Sequence, residues 1–240
     1  MELIFRWNYT VEATDVNMFG RLRPARLLEL IQTVSGLHAE KLGFGSDVLN
    51  PKHLSWVVVR QRILIARMPS QEEVLHVTTW PGKGVHGLCP RYMEIRDEAG
   101  EMLIRSCFLW VIMDTESRLM IQPAAYGLEM PVPEREPLMP LPRLPKQLLP
   151  EIKRSTFTVP YSFIDVVGHM NNTRYVEIAE NRLSAPREGK EPRELIIELT
   201  HELRLDESME LIVVQEGPAY SVKGMKEEAP VFTLFITYQE

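Results

Sequence analysis

Eight of the chain's 18 prolines fall between Pro123 and Pro150, close to the middle of 240 residues. Proline has no N–H for a β-ladder and cannot continue a helix, so this stretch reads as an extended connector. Leu138, Met139, Leu141, Leu144 and Leu148 alternate with the prolines, and these predict that the connector lies against the protein. A break at this point leaves two stretches of similar size, and they repeat one order of elements. The first has a strand, Phe5–Val11, then Thr14-Asp15-Val16, then Gly20 and a helix from about Pro24 to Leu42. The second has a strand, Thr156–Tyr161, then Ile164-Asp165-Val166, then Gly168 and a helix from about Asn172. Each helix carries an acid on the same theme, Leu28-Glu29-Leu30 and Val176-Glu177-Ile178.

Leu27, Leu28, Leu30, Ile31, Val34 and Leu37 form a stripe too broad for a helix lying on a surface, which predicts a mostly buried first helix. Pro24 suits its first turn and Gly43 its stop. After it, Leu54–Met68, Val74–Trp80, His86–Asp97 and Met102–Asp114 read as long strands, with Asp97-Glu-Ala-Gly100 a hairpin turn. The second stretch offers Leu195–Leu205, Met209–Glu216, Ala219–Lys223 and Val231–Tyr238. A strand, one long helix and a run of antiparallel strands, given twice, predicts an α+β architecture in which each sheet wraps its own helix. The expected division is 1–122, a proline-rich linker over 123–150, and 151–240.

Composition excludes several function classes. Net charge is −6; residues 1–120 are balanced, with 14 basic and 14 acidic side chains, so the acidity lies in the second half. No basic footprint for nucleic acid is visible. Runs such as Leu54-Ser-Trp-Val-Val-Val59 are too short to span a bilayer, so no membrane partner is expected. The start, Met1-Glu-Leu-Ile-Phe-Arg-Trp, has neither a basic nor a long apolar region of a secretory signal. Two cysteines in strand-like segments, Cys89 and Cys107, fit a reducing cytoplasm.

The most chemical segment is Asp165-Val-Val-Gly-His169-Met-Asn171-Asn172-Thr-Arg-Tyr175. It sets a carboxylate, an imidazole and two amides at an expected helix mouth, where free N–H groups and the helix dipole favour a group gaining negative charge. The carbonyl oxygen of a thioester under attack is such a group. The plainer role for Asp165 is to cap the helix through its side chain. Cys107 alternates as a small core residue would, and nothing around it in the sequence argues for a lowered pKa. His38, His53, His76 and His86 show no metal-ligand spacing. Gly82-Lys-Gly84 reads as a turn between strands rather than a phosphate loop.

The chain resembles the acyl-acyl carrier protein thioesterases, a double hotdog fold. The resemblance rests on Trp56-Val-Val-Val-Arg60, Thr78-Thr-Trp80-Pro, Arg91-Tyr-Met-Glu94-Ile and Trp110-Val-Ile-Met-Asp114-Thr-Glu-Ser-Arg118 in the first half. In the second it rests on His169-Met-Asn171-Asn172-Thr-Arg-Tyr175 and His201-Glu202. That family uses an Asp-x-Asn-x-His motif plus a Glu on a later strand. The resemblance implies Asp165, His169 and Glu202 as the catalytic set, with Val167 standing where the family has Asn and Asn171 or Asn172 the candidate replacements. It implies hydrolysis of fatty acyl-carrier protein thioesters in fatty acid biosynthesis. Asp165 would attack the carbonyl or activate water, His169 would polarise the site, Glu202 would orient or deprotonate the water, and N–H groups near Gly168 would take the oxyanion. Asn171, Asn172 and Gly168 would contact substrate. No cofactor or metal is implied; the partner is the acyl carrier protein, and the enzyme would be a monomer or homodimer. Acyl-coenzyme A hydrolysis and non-catalytic acyl binding are the alternatives. Trp56, Trp80, Trp110 and Met93 could line an acyl channel, with plain core as the other reading. The carrier could dock on Arg21, Arg23 and Arg26 or on Arg60, Arg62 and Arg67, and each cluster reads equally as a solvated charged face.

Overall fold

The computed structural model describes residues 2–145 and 151–240. The first half runs β1 (Phe5–Thr10), α1 (Pro24–Lys41), α2 (Ser46–Leu49), β2 (Leu54–Ile65), β3 (Val74–Pro81), β4 (Cys89–Arg96) and β5 (Met102–Asp114). The second runs β6 (Glu151–Thr158), α3 (Arg174–Glu180), β7 (Pro192–Leu199), β8 (Ser208–Glu216), β9 (Ala219–Lys226) and β10 (Ala229–Tyr238). All ten strands join one antiparallel sheet in the order β1-β3-β4-β5-β2-β7-β10-β9-β8-β6. From the two outer edges the halves read β1-β3-β4-β5-β2 and β6-β8-β9-β10-β7, the same order repeated. The halves meet where β2 pairs with β7, Arg60 opposite Glu198 through Leu64 opposite Glu194. Two ion pairs tie that seam on the side chains' level: Arg60 to Glu198, and Arg62 to Glu194 at 2.7 Å.

Leu27, Leu28, Leu30, Ile31 and Val34 of α1 are buried in one apolar core together with Tyr175, Val176, Ile178 and Ala179 of α3. The expected burial of the α1 stripe therefore holds. The second helix departs from expectation, starting at Arg174 and lasting seven residues. Asn171 Oδ1 accepts both the N–H and the hydroxyl of Thr173 (3.0 and 2.8 Å), which spends Asn172 and Thr173 in a turn ahead of the helix. Beyond Asn181 the chain turns again, and Pro186 opens a single turn of tighter helix rather than extending α3. Several strand ends also differ: β2 stops at Ile65, β4 starts at Cys89, and β7 covers Pro192–Leu199 instead of reaching Leu205. The connector does lie on the protein, on the sheet face away from the helices. Met139 is buried beside Trp80, Tyr92 and Cys107, with Leu138 and Leu141 against them; Leu148 lies outside the described residues.

The repeat extends to atomic detail, with one correction. Asn17 Oδ1 accepts the N–H groups of Phe19 (2.9 Å) and Arg21 (3.1 Å), as Asp165 Oδ1 does for Val167 (3.0 Å) and His169 (3.4 Å). Val16 bridges Leu22 as Ile164 bridges Met170, and Gly20 and Gly168 both sit at φ near +75°, at +71° and +81°. The counterpart of Asp165 is thus Asn17, not Asp15. Asp15 does a different job and is 1% exposed. It accepts from the Tyr9 hydroxyl, from the Glu12 N–H at 2.9 Å, and from Arg26 Nε at 2.9 Å, while its carbonyl takes the Arg23 N–H at the head of α1. Burial opposes ionisation of Asp15, but these donors outweigh it and hold its carboxyl below the ordinary carboxylate value.

Asp15→Asn should therefore lower the free energy of unfolding by about 1–3 kcal/mol at neutral pH. A carboxyl held low stabilises the fold above its ordinary value and loses that contribution as pH falls through its folded value. The gap between variant and wild type, read from urea midpoints, should narrow in acid; a gap constant with pH would refute the assignment. At the other end of the sheet, a Cβ on Gly224 would sit 2.5 Å from the ring of buried Phe232 and 2.8 Å from Met209 Sδ. That ring packs 5.0 Å from Tyr175 of α3, so it cannot simply retreat. Gly224→Ala should cost about 1–3 kcal/mol by the same measurement.

Candidate functional site

Between β6 and α3 the chain makes a tight turn in which Asp165 N–H donates to the His169 carbonyl (2.9 Å) and Gly168 N–H to the Asp165 carbonyl (3.0 Å). Gly168 occupies the left-handed region, where other residues are strained, and this lets the chain double back before His169. One carboxylate oxygen of Asp165, Oδ1, holds the turn. No described residue donates a hydrogen bond to the other, Oδ2. The capping role is therefore real but local: Asp165 caps its own turn, nine positions before α3 begins. Val166 is fully exposed and Val167 is 60% exposed. Val167 contributes its backbone N–H to Asp165, and its side chain points to solvent.

His169 Nε2 lies 2.8 Å from Glu202 Oε2. Glu202 is not on a strand. β7 ends at Leu199, because the N–H groups of Thr200 and His201 turn to the Val231 carbonyl (2.8 and 3.2 Å) and the Met170 N–H takes the Leu203 carbonyl (2.8 Å). The resulting loop lies beside the Asp165 turn and presents Glu202 to His169. Its neighbour His201 faces Pro230, Nδ1 to carbonyl at 2.6 Å, and takes no part. The other carboxylate oxygen of Glu202 receives the guanidinium of Arg118, a residue of the first half. Arg118 sits at φ +60° in a turn closed by Asp114 Oδ1, which accepts from the N–H groups of Glu116 (3.0 Å) and Ser117 (2.8 Å) and from the Ser117 hydroxyl (3.0 Å). Arg118 went unassigned in the sequence because its partner is 84 positions away. The turn residues Asp114-Thr-Glu-Ser117 were the visible signal, without a direction.

Of the residues expected to touch substrate, Asn171 lines a cavity of about 680 Å³ that runs along α1, between that helix and the strands of the first half. Arg26, Glu29 and Asn171 lie at one end; Glu40, Phe44, Trp56, Trp110, Cys89 and Arg91 line the rest. Trp56 and Trp110 thus line this cavity, packed edge to face at 6.5 Å. Trp80 and Met93 do not: both are 1% exposed and belong to packed core. Asp165, His169 and Glu202 do not line the cavity, which reaches their turn only through Asn171. Near that end a chain of alternating charges crosses the helices: Asp15–Arg26 (2.9 Å), Arg26–Glu29, Glu29–Arg174 (3.4 Å) and Arg174–Glu177 (2.7 Å).

The oxyanion assignment near Gly168 needs correction. The N–H groups of Val167, Gly168, His169 and Met170 are all donated within the protein. Asn171 N–H goes to the Phe163 carbonyl at 2.9 Å and Thr173 N–H to Asn171 Oδ1. Among the described residues the N–H groups of Val166 and Asn172 and the side-chain amides of Asn171 and Asn172 are backbone and amide donors left at this turn. Cys107 is buried beneath the connector, and burial pushes its thiol up to about 12, which leaves no thiolate for catalysis. No group of ligand-forming side chains among the described residues could hold a metal. Arg60 and Arg62 are spent on the seam and Arg67 on Glu73 (2.6 Å), so that cluster offers no free basic face.

The sequence matches the model of the acyl-ACP thioesterase N-terminal domain over residues 2–124 and that of the C-terminal domain over residues 147–236. It is 24% identical over 191 residues to a chloroplastic palmitoyl-acyl carrier protein thioesterase of Cuphea hookeriana, covering 72% of this chain and 45% of the relative. It is 25% identical over 230 residues to an acyl-[acyl-carrier-protein] hydrolase of Cuphea viscosissima, covering 88% and 55%. The chain thus spans about half the length of the curated relatives it matches. Among solved structures, an acyl-ACP thioesterase from Bacteroides thetaiotaomicron superposes with a TM-score of 0.82 at 23% identity, covering 98% of both chains. The 12:0-ACP thioesterase from Umbellularia californica gives the same TM-score at 20% identity, covering 100% of this chain and 98% of that one. The fold is accordingly a pair of hotdog units, and the chain belongs to the acyl-ACP thioesterase family.

Proposed function

We propose that this protein hydrolyses fatty acyl-acyl carrier protein thioesters and releases free fatty acid for fatty acid biosynthesis. The observation that carries the reading is the contact of Glu202 with His169, which shares a turn with Asp165 at the Asn171 end of the cavity along α1, the cavity taken to receive the acyl chain. Family membership and the names of its relatives support it. Asp165 Oδ2, free of turn duties, takes a proton from water whose oxygen adds to the thioester carbonyl. His169 and Glu202 hold that water, and Asn172 N–H with the Asn171 amide stabilises the oxyanion. Collapse breaks the C–S bond, and the proton passes to the departing thiolate of the pantetheine arm. Arg118 fixes the far side of Glu202. Both partners are partly exposed, so the pair adds little stability and serves orientation.

The units carrying this chemistry are 1–122 and 151–240 with 123–150 between them, Asp165, His169 and Glu202 all belonging to the second. In the other basic cluster, of Arg21, Arg23 and Arg26, Arg21 pairs with Glu191 and Arg26 with Asp15 and Glu29, so neither cluster stands out as the docking face for the acidic carrier. The two unpaired cysteines suit a cytoplasmic protein, working as monomer or homodimer. No helix among the described residues is long and apolar enough to cross a membrane.

Asp165→Ala should reduce thiol release from acyl-carrier protein about 10²–10⁴-fold with an unchanged circular dichroism spectrum; near-normal turnover would reject the reading, and faster turnover of the same acyl group on coenzyme A would change the handle. Arg118→Ala should lower kcat roughly tenfold with little change in KM, and Arg118→Lys should recover part of it. Equal kcat in Arg118→Ala and wild type would remove Arg118 from the site.

A further inference from the structure

Arg91 is 6% exposed on β4 and lines the cavity far from Asn171. It meets α1 at His38, twelve residues beyond Arg26, which places it about 18 Å along the helix from the end near the Asp165 turn. Its charge has no carboxylate within ion-pair reach among the described residues. Nη1 donates to His38 Nδ1 at 2.9 Å and lies 3.5 Å from Thr79 Oγ1; Nη2 finds only Met130 Sδ at 3.9 Å. His38 Nε2, 3.0 Å from the Glu2 carbonyl, carries the proton, so Nδ1 can only accept and the ring is neutral. Burial lowers the guanidinium to about 10, which still leaves it a cation at neutral pH. Of the cavity's carboxylates, Glu29 is engaged by Arg26 and Arg174 at the opposite end, and Glu40 is exposed to solvent.

A second buried donor belongs to a residue that lines the same cavity, and it has no acceptor. The indole Nε1 of Trp110 is buried and makes no hydrogen bond, whereas that of Trp56 donates to the Phe44 carbonyl at 2.9 Å. Trp110 stands on β5, opposite Cys89 and two positions along β4 from Arg91. Arginine and tryptophan offer hydrogens only. A buried cation without a counter-ion and a buried N–H without an acceptor are costly to the fold, and a ligand oxygen would offset both costs. Building on the reading that this cavity receives the acyl chain, we propose that its far region binds an oxygen function on that chain, so that the protein prefers acyl groups oxygenated toward their distal end over plain hydrocarbon chains of the same length.

Non-hydrolysable alkyl-pantetheine thioethers of graded length test this by titration calorimetry, each chain ending in methyl, in hydroxyl or in carboxylate. At the length that reaches Arg91, an oxygenated end should bind about tenfold or more tightly than methyl. Arg91→Met should abolish the preference. Trp110→Phe, which keeps an aromatic ring and removes the indole N–H, should reduce it severalfold and serves even where Arg91→Met does not fold. Equal or tighter binding of the methyl-ended chains at every length overturns the proposal, as does a preference unchanged in both variants, and so does a failure of every chain to bind. Binding is read without turnover, so an enzyme that hydrolyses no acyl-carrier thioester would defeat the proposed function and leave this result standing.

Discussion

Five residues of β2 paired with five of β7 turn two sheets into one, and the helices depend on that junction. Each half carries a helix with more apolar surface than a short sheet can cover. Joined at the seam, the sheet lets α1 and α3 share a single core in which the Tyr175 and Phe232 rings meet. The ion pairs Arg60–Glu198 and Arg62–Glu194 add direction to the joint, since like charges at those cross-strand positions would oppose it. Register follows: a slip of one residue would turn Ile63 and Leu195 out of the core.

The same joint explains how a polar site is assembled from both halves. The second half supplies the turn with Asp165 and His169 and the loop with Glu202; the first supplies the cavity and Arg118. Asn17 preserves the turn in the first half without the carboxylate, and Arg21 takes the position of His169, paired with Glu191 at 2.9 Å. The second half thus carries Asp165, His169 and Glu202, and the first carries most of the cavity lining.

Much of the architecture was legible because it is periodic. The broad stripe of α1, the alternation in the long strands and the concentration of prolines each report on burial or hydrogen bonding over many residues. What escaped is local or distant. Asp15 and Asn17 are two positions apart and both suit a turn, so the sequence alone could not say which of them matches Asp165. Alternation carries on past Leu199, yet the chain leaves the sheet there because the next two N–H groups find Val231. Trp56 and Trp110 face the cavity while Trp80 and Met93 face packed neighbours, a difference set by strand phase and by the connector above Trp80. Asp165, His169 and Glu202 came from resemblance to a motif, and the arginine that meets Glu202 lies 84 positions before it in the chain.

Arg118 also bears on how such a chain can change over time. Its turn and the loop holding Glu202 lie on opposite sides of the duplication, so neither half can be replaced by a distant cousin's without re-matching one guanidinium to one carboxylate. Recombination at the proline-rich midpoint, an otherwise convenient crossover point, would yield chimeras in which that match is left to chance.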